Sequence, residues 1–147
     1  MTRFLFDTNV FVYQLGAAHP YREPCRTIVA RQAAGELAGE ASATMVQEVV
    51  WQRLRQTGDR DAAAQTGRDV AALCRLHDFT AADMARSIEL FESHDGLDAF
   101  DAQLAATALG REIALVLTAD RGFDGIAGLR RVDPLDAQAV ASLVVRG

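Results

Sequence analysis

The sequence predicts an α/β protein with a mostly parallel central sheet flanked by helices. Three observations carry that expectation. Two short apolar runs, residues 3–6 and 113–118, each end in polar residues and have the continuous character of strands buried on both faces. Between them lie segments whose apolar residues recur at spacings of three and four, the period of amphipathic helices. Strands and helices alternate, as crossover connections between parallel strands require.

Taken in order, Arg3-Phe4-Leu5-Phe6 reads as the first strand and stops at Asp7-Thr8-Asn9. Helical spacing follows over residues 21–34, 45–56, 60–76, 81–93 and 99–109. Short strands are expected at 40–43, before the second of these helices, and at 78–80, before the fourth. Ile113-Ala-Leu-Val-Leu-Thr118 is the second long strand, and residues 129–132 supply a late one closed by Asp133-Pro134. No repeat or low-complexity linker interrupts the chain, so residues 1–147 read as one domain. In such sheets ligands bind beyond the carboxyl ends of the strands, where Asp7 and Asp120 would stand.

Composition narrows the chemistry. No apolar run approaches the roughly 18 residues that span a bilayer, and the N-terminus has no signal-peptide core, so a cytoplasmic protein without membrane contact is expected. Cys25 and Cys74 read as small buried hydrophobes. His19, His77 and His94 lack zinc-site spacing and read as surface or loop residues. All 15 basic residues are Arg, which excludes a Walker A loop, a Schiff-base lysine and a receiver-domain acidic cluster with its Lys. The net charge of −5 argues against a basic nucleic-acid surface. Four carboxylates in a metal site, taken out of that −5, leave −1, so the negative charge can be local to the chemistry.

Most of the 20 acids fit helix ends or polar faces; Asp59, Asp61, Asp69, Glu36 and Glu112 need no other account. Four fit badly. Asp7 and Asp120 each close an apolar strand, with helix capping as the competing explanation. Glu48 has Met45 and Trp51 at i−3 and i+3, which sets it beside the apolar stripe of its helix, although a favourable place in the helix dipole would also account for it. Asp101 shares a face with Leu104, Ala105 and Ala108. Asp98, three residues earlier, reads first as the N-cap of that helix and second as a ligand. Four converging carboxylates repel one another and call for a cation; an all-oxygen set suits Mg²⁺ or Mn²⁺ and points to phosphoryl chemistry.

At these residues the chain resembles the PIN-domain ribonucleases, and within them the VapC toxins of type II toxin–antitoxin systems. The resemblance runs from Met1 to about Pro134. It rests on Phe4-Leu5-Phe6-Asp7-Thr8-Asn9, on Glu48 of the early helix, on Asp101-Ala102-Gln103-Leu104-Ala105-Ala106, and on Thr118-Ala119-Asp120-Arg121-Gly122-Phe123 followed by Gly128-Leu129 and Pro134. It implies a PIN-domain-like three-layer sandwich and metal-dependent endonucleolytic cleavage of RNA. It also implies a homodimer and neutralisation by a VapB-type antitoxin. It selects Asp101 over Asp98 and makes Asp7, Glu48, Asp101 and Asp120 the catalytic and metal-binding set.

In that frame Asp7 and Asp101 would hold the principal Mg²⁺ or Mn²⁺, Glu48 and Asp120 would complete its shell, and Glu48 would accept the proton of the attacking water. Thr8, Asn9 and Thr118 would hydrogen-bond the carboxylates or a substrate phosphate, Asp124 would help from further out, and Arg121 would contact RNA. Two other readings remain open: a PIN nuclease of RNA maturation or decay that has no antitoxin, and a catalytically silent RNA- or protein-binding domain. A haloacid-dehalogenase-type phosphatase is weaker, since Asn9 stands where its second Asp belongs.

Overall fold

A computed structural model describes residues 2–145. Five parallel strands form its sheet, in the order β3-β2-β1-β4-β5: β1 (Arg3–Phe6), β2 (Ala38–Ser42), β3 (Arg75–His77), β4 (Leu115–Leu117) and β5 (Arg130–Val132). Alternation along β1 sorts the core into two layers. Phe4 and Phe6 face one way, into α1 (Thr8–Leu15), α2 (Arg22–Ala33), α3 (Ala43–Thr57) and α4 (Arg60–Leu73), through Phe11, Ile28, Met45, Val49 and Val70. Leu5 faces the other way with Val116, into α6 (Ala99–Gly110) through Leu104, Ala105 and Ala108. Helices on both sides of the sheet make the expected three-layer α/β sandwich.

α6 is buried nearly all round, from Ala102 through Ala108 apart from half-buried Gln103, because its alanines let it approach both the sheet and α5 (Ala81–Ser93). α5 therefore lies outermost and leaves Met84, Ile88 and Phe91 exposed along one stripe. A capping box at its start joins Thr80 and Asp83. Asp83 also takes a two-pronged ion pair from Arg111 at 2.7 and 2.8 Å, locking the start of α5 to the end of α6.

Several elements differ from the sequence expectation, each for a local reason. The strand expected at 78–80 lies at Arg75–His77, and α4 stops at Leu73 instead of running to residue 76. Cys74 is extended, the Leu73 carbonyl accepts from Gln32 Nε2, and residues 78–80 lead into the α5 capping box. The strand expected at 40–43 occupies Ala38–Ser42, where Ser42 ends it by capping α3 at Met45 N. The long strand at 113–118 contracts to Leu115–Leu117. α1 and the short α7 (Ala137–Ala141) were not anticipated as helices. His77 is buried rather than superficial, with Nε2 2.7 Å from Glu40 Oε1; His19 is exposed and His94 half-buried. Both cysteines are buried free thiols, and burial pushes each up to about 12.

Candidate active site

The carboxyl ends of β1 and β4 lie side by side, and the residues after them form the floor of a cleft. Asp7, only 7% exposed, follows β1 and donates its N–H to the Leu117 carbonyl at 3.1 Å. Thr118 follows β4 and is completely buried. Its hydroxyl donates to Asp7 Oδ2 at 2.7 Å and accepts from Asn9 Nδ2 and from Asp120 N, each at 3.0 Å. One hydroxyl thus uses its donor and both lone pairs to tie two strand ends together. Asp7 Oδ1 caps α1 by accepting from Thr8 N at 2.7 Å.

Thr8 reaches the opposite way and donates its hydroxyl to Glu48 Oε2 at 2.9 Å, which fixes the α3 glutamate over the same cleft. Asp98 caps α6 through Asp101 N at 2.7 Å, and Asp120 accepts from Gly122 N at 2.8 Å to begin the short 3₁₀ turn Arg121–Phe123. The capping roles foreseen for Asp7, Asp98 and Asp120 are therefore real. They do not remove these groups from the cleft, which is lined by Asp7, Thr8, Asn9, Glu48, Asp98, Asp101 and Asp120 and has a volume of about 210 Å³. Gly122 packs flat against the loop before α6, where a methyl group would collide with the Gly96 carbonyl oxygen.

The electrostatics separate Asp7, Glu48 and Asp101 from Glu40, Asp83 and Asp133. Burial, reinforced by the charges of Glu48 and Asp120 and opposed by the Thr118 bond, pushes Asp7 up to about 7. Glu48 rises for the same first reason, against the Thr8 bond and with a contribution from Asp98. Asp101 rises well above the carboxylate range through burial, a hydrogen bond shared with Asp120, and the charges of Asp7, Asp98 and Asp120. Among the described residues none of the four makes an ion pair with a basic group.

Glu40, Asp83 and Asp133 are the opposite case. Burial works to raise Glu40, but Arg3 at 2.7 Å and His77 outweigh it. The Arg111 bonds bring Asp83 down to about 2. Asp133 falls because the Leu135 N–H, Arg131 and Tyr21 outweigh burial.

Among the described residues, no three acidic, histidine or cysteine side chains stand in a ready-made metal-ligand arrangement. Asp120 instead stands close enough to Asp101 to raise its proton affinity. The donor chemistry still fits a hard divalent cation: the groups are oxygens, they lack cationic partners, and the buried Asn9 Oδ1 beside Asp7 has no hydrogen bond. A cation would displace the proton on Asp101 and offset the repulsion that raises Asp7.

The remaining expected residues are less central. Thr8, Asn9 and Thr118 contact the carboxyls directly, whereas Asp124 is exposed and ion-paired to Arg131 at 3.0 Å, outside the cleft lining. Arg121 is exposed at the rim beside Asp120. Val12, Tyr13 and Gln52 also line the cleft and were not singled out. Helical spacing was the available signal: Gln52 is i+4 from Glu48, and Val12 and Tyr13 are i+3 and i+4 from Asn9.

The PIN domain family model matches residues 4–129, which include all four acids, β1 from Phe4 onward and all of β2, β3 and β4, and stop just before β5. The chain belongs to the PIN-domain family. Within this family it is 38% identical over 142 residues to Ribonuclease VapC7 of Mycobacterium tuberculosis, covering 95% of this chain and 97% of that one. The PIN fold is equally evident in solved structures. A toxin–antitoxin complex from Klebsiella pneumoniae aligns with a TM-score of 0.66 at 20% identity, covering 89% of this chain and 97% of that one. VapC20 of Mycobacterium tuberculosis, described as a sarcin-ricin loop cleaving toxin, aligns at 0.65 and 16% identity, covering 77% of this PIN chain and 86% of its own.

Proposed function

We propose that this PIN-domain chain, as a single domain, is an endoribonuclease that hydrolyses RNA phosphodiester bonds and serves as the toxin of a type II toxin–antitoxin pair. One observation carries the reading: buried Asp7 and half-buried Glu48, Asp101 and Asp120 converge at the carboxyl ends of β1 and β4, the first three with raised proton affinity and, among the described residues, all four without a basic partner. The kinship with Ribonuclease VapC7 over nearly the whole chain supports RNA as the substrate.

Asp7 and Asp101 would hold Mg²⁺ or Mn²⁺, with Glu48 and Asp120 completing the set. Such a cation supplies charge neutralisation at the scissile phosphate and a water of lowered pKa. The chain's own residues do the rest. Thr118 and Thr8 N fix both oxygens of Asp7, so its carboxyl cannot swing. Thr8 holds Glu48 by one oxygen, leaving Oε1 without a hydrogen bond to the described residues and able to take a proton from the attacking water. Asn9 Oδ1 is a further acceptor at the floor.

A cytoplasmic setting and a VapB-type antitoxin accompany this reading, as does a homodimer. No helix among the described residues is long and apolar enough to cross a membrane. The exposed Met84, Ile88 and Phe91 stripe on α5 supports the homodimer.

The deciding experiment uses the chain purified free of any antitoxin and incubated with total RNA in Mg²⁺, in Mn²⁺ and in EDTA, alongside D7N and D101N. Cleavage with either cation and none in EDTA or in the variants is expected. Cleavage that persists in EDTA, or in both variants, refutes the metal–carboxylate reading.

A further inference from the structure

Beside the carboxylate cleft lies a second, larger groove of about 730 Å³, whose lining comes from α3 and from the start of α6. It shares Glu48 and Asp98 with the cleft, so the two form one continuous surface. Trp51 and Phe100 line it, 53% and 61% exposed, and neither belongs to a core cluster. Gln47, Gln52 and Gln103 supply primary amides. Arg55, one turn beyond Trp51, places its guanidinium carbon 4.8 Å from the centre of the indole ring.

Another aromatic group near the cleft behaves differently. Tyr13 stacks on His19 at 4.5 Å and on Tyr21 at 5.1 Å, and the Tyr21 hydroxyl donates to Asp133. That group is satisfied internally, whereas among the described residues no other aromatic ring stacks on Trp51 or Phe100.

We infer that the Trp51–Phe100 groove receives an unpaired base of the RNA substrate, adjacent to the phosphate that enters the carboxylate cleft; this rests on the ribonuclease reading above. Aromatic faces beside donor–acceptor amides are the two kinds of contact that unstacked bases use, the rings for stacking and the amides for the base edge. An apolar side chain seated on the same rings would offer the glutamine amides no hydrogen-bond partner, whereas a base brings ring face and polar edge together. Arg55 brings a positive charge to a rim otherwise occupied by Glu48 and Asp98, which suits the backbone leading into the cleft. The groove thereby helps select which phosphodiester is presented.

Trp51 is the sole tryptophan, so its emission reports on this groove alone. The probe is a synthetic single-stranded RNA spanning a site cut in the assay above, mixed with the protein and Mg²⁺ in a stopped-flow instrument. Rapid quenching of Trp51 before cleavage is expected. W51A and F100A should each raise KM roughly tenfold with little change in kcat, while W51F retains most of the wild-type KM. Both side chains are more than half exposed, and circular dichroism with thermal melting confirms that the variants fold.

Cleavage by both alanine variants with unaltered KM, or Trp51 emission that ignores bound RNA, overturns the groove assignment and leaves the nuclease reading standing. A blue shift of Trp51 that follows protein concentration, and not RNA, also overturns it by making the groove a contact between copies. A wild-type chain inert toward RNA in both cations overturns the nuclease reading and this one with it.

Discussion

Replacing Asp7 by Asn should abolish cleavage yet stabilise the cation-free protein at neutral and alkaline pH. Asp7 is buried, and its proton affinity rises from an ordinary 3.8 to about 7. Above pH 4 the unfolded chain has already released this proton, while the folded chain keeps it until about pH 7. Stability therefore falls across that window, by up to about 4 kcal/mol at roughly 1.36 kcal/mol per pH unit.

Asn carries no such cost. Its carbonyl can still accept from Thr118 and Asn9, but its amide then faces the Thr8 N–H, a clash of donors costing about 1–3 kcal/mol. The difference leaves D7N more stable by about 2 kcal/mol at pH 8, an advantage that vanishes or reverses by pH 4.5. Urea unfolding in EDTA, followed from pH 4.5 to 8.5, measures it. Saturating Mn²⁺, near a hundred times its dissociation constant, should then add about 2.7 kcal/mol to the wild type and nothing to D7N. A difference between the two proteins that does not change with pH would refute the reasoning, because burial of an unpartnered charge would then not be what distinguishes Asp7.

Two further outcomes test the surroundings of the site. Asp83, held down to about 2 by Arg111, contributes stability that is fully present above pH 4 and is lost as pH falls through 2. D83N should thus cost about 2 kcal/mol at pH 7 and progressively less below pH 4, read from melting curves; an equal cost at pH 7 and pH 2.5 would show that the pair does not act through charge. G122A must push away the Gly96 carbonyl, separating the turn that carries Asp120 from the loop that carries Asp98. It should lose about 1–3 kcal/mol of stability and more than tenfold of the cleavage rate at saturating RNA, whereas full activity would mean that this contact does not position Asp120.

Asp7, Glu48, Asp101 and Asp120 were legible in the sequence because each violates a local rule, standing at the end of an apolar strand or on the apolar side of a helix. The same rules passed over Glu40 and Asp83, which are as deeply buried as Asp7 and more so than Glu48, Asp101 and Asp120. Their compensation is not local: Arg3 and His77 each lie 37 residues from Glu40, and Arg111 lies 28 from Asp83. No periodicity reveals such a partner. α1 escaped notice for a related reason, since Val10-Phe11-Val12 looks like another buried run and only the cap from Asp7 to Thr8 marks a helix start. β3 was misplaced because the spacing of Val70 and Leu73 continues to Leu76, although the backbone has already turned extended at Cys74.

Connectivity explains why the unpartnered acids gather where they do. From β1 the chain crosses to β2 and then β3 on one side, and only afterwards returns to lay β4 against the other edge of β1. The connections after β1 and β4 therefore leave the sheet toward opposite layers: α1 packs with the Phe4 and Phe6 cluster, while Phe123 of the 3₁₀ turn packs with Leu5 and α6. A crevice opens between them at the carboxyl ends. Glu40 lies within β2, clamped by Arg3 and His77 on the neighbouring strands β1 and β3. Asp7 and Asp120 sit at the crevice instead, and the Thr118 hydroxyl bonds to both. A T118V substitution would leave the side chain nearly the same size and keep the Asp7 N–H bond to the Leu117 carbonyl, so the strand ends would stay in register while Asp7 Oδ2 and the Asp120 N–H lost the hydroxyl that positions both.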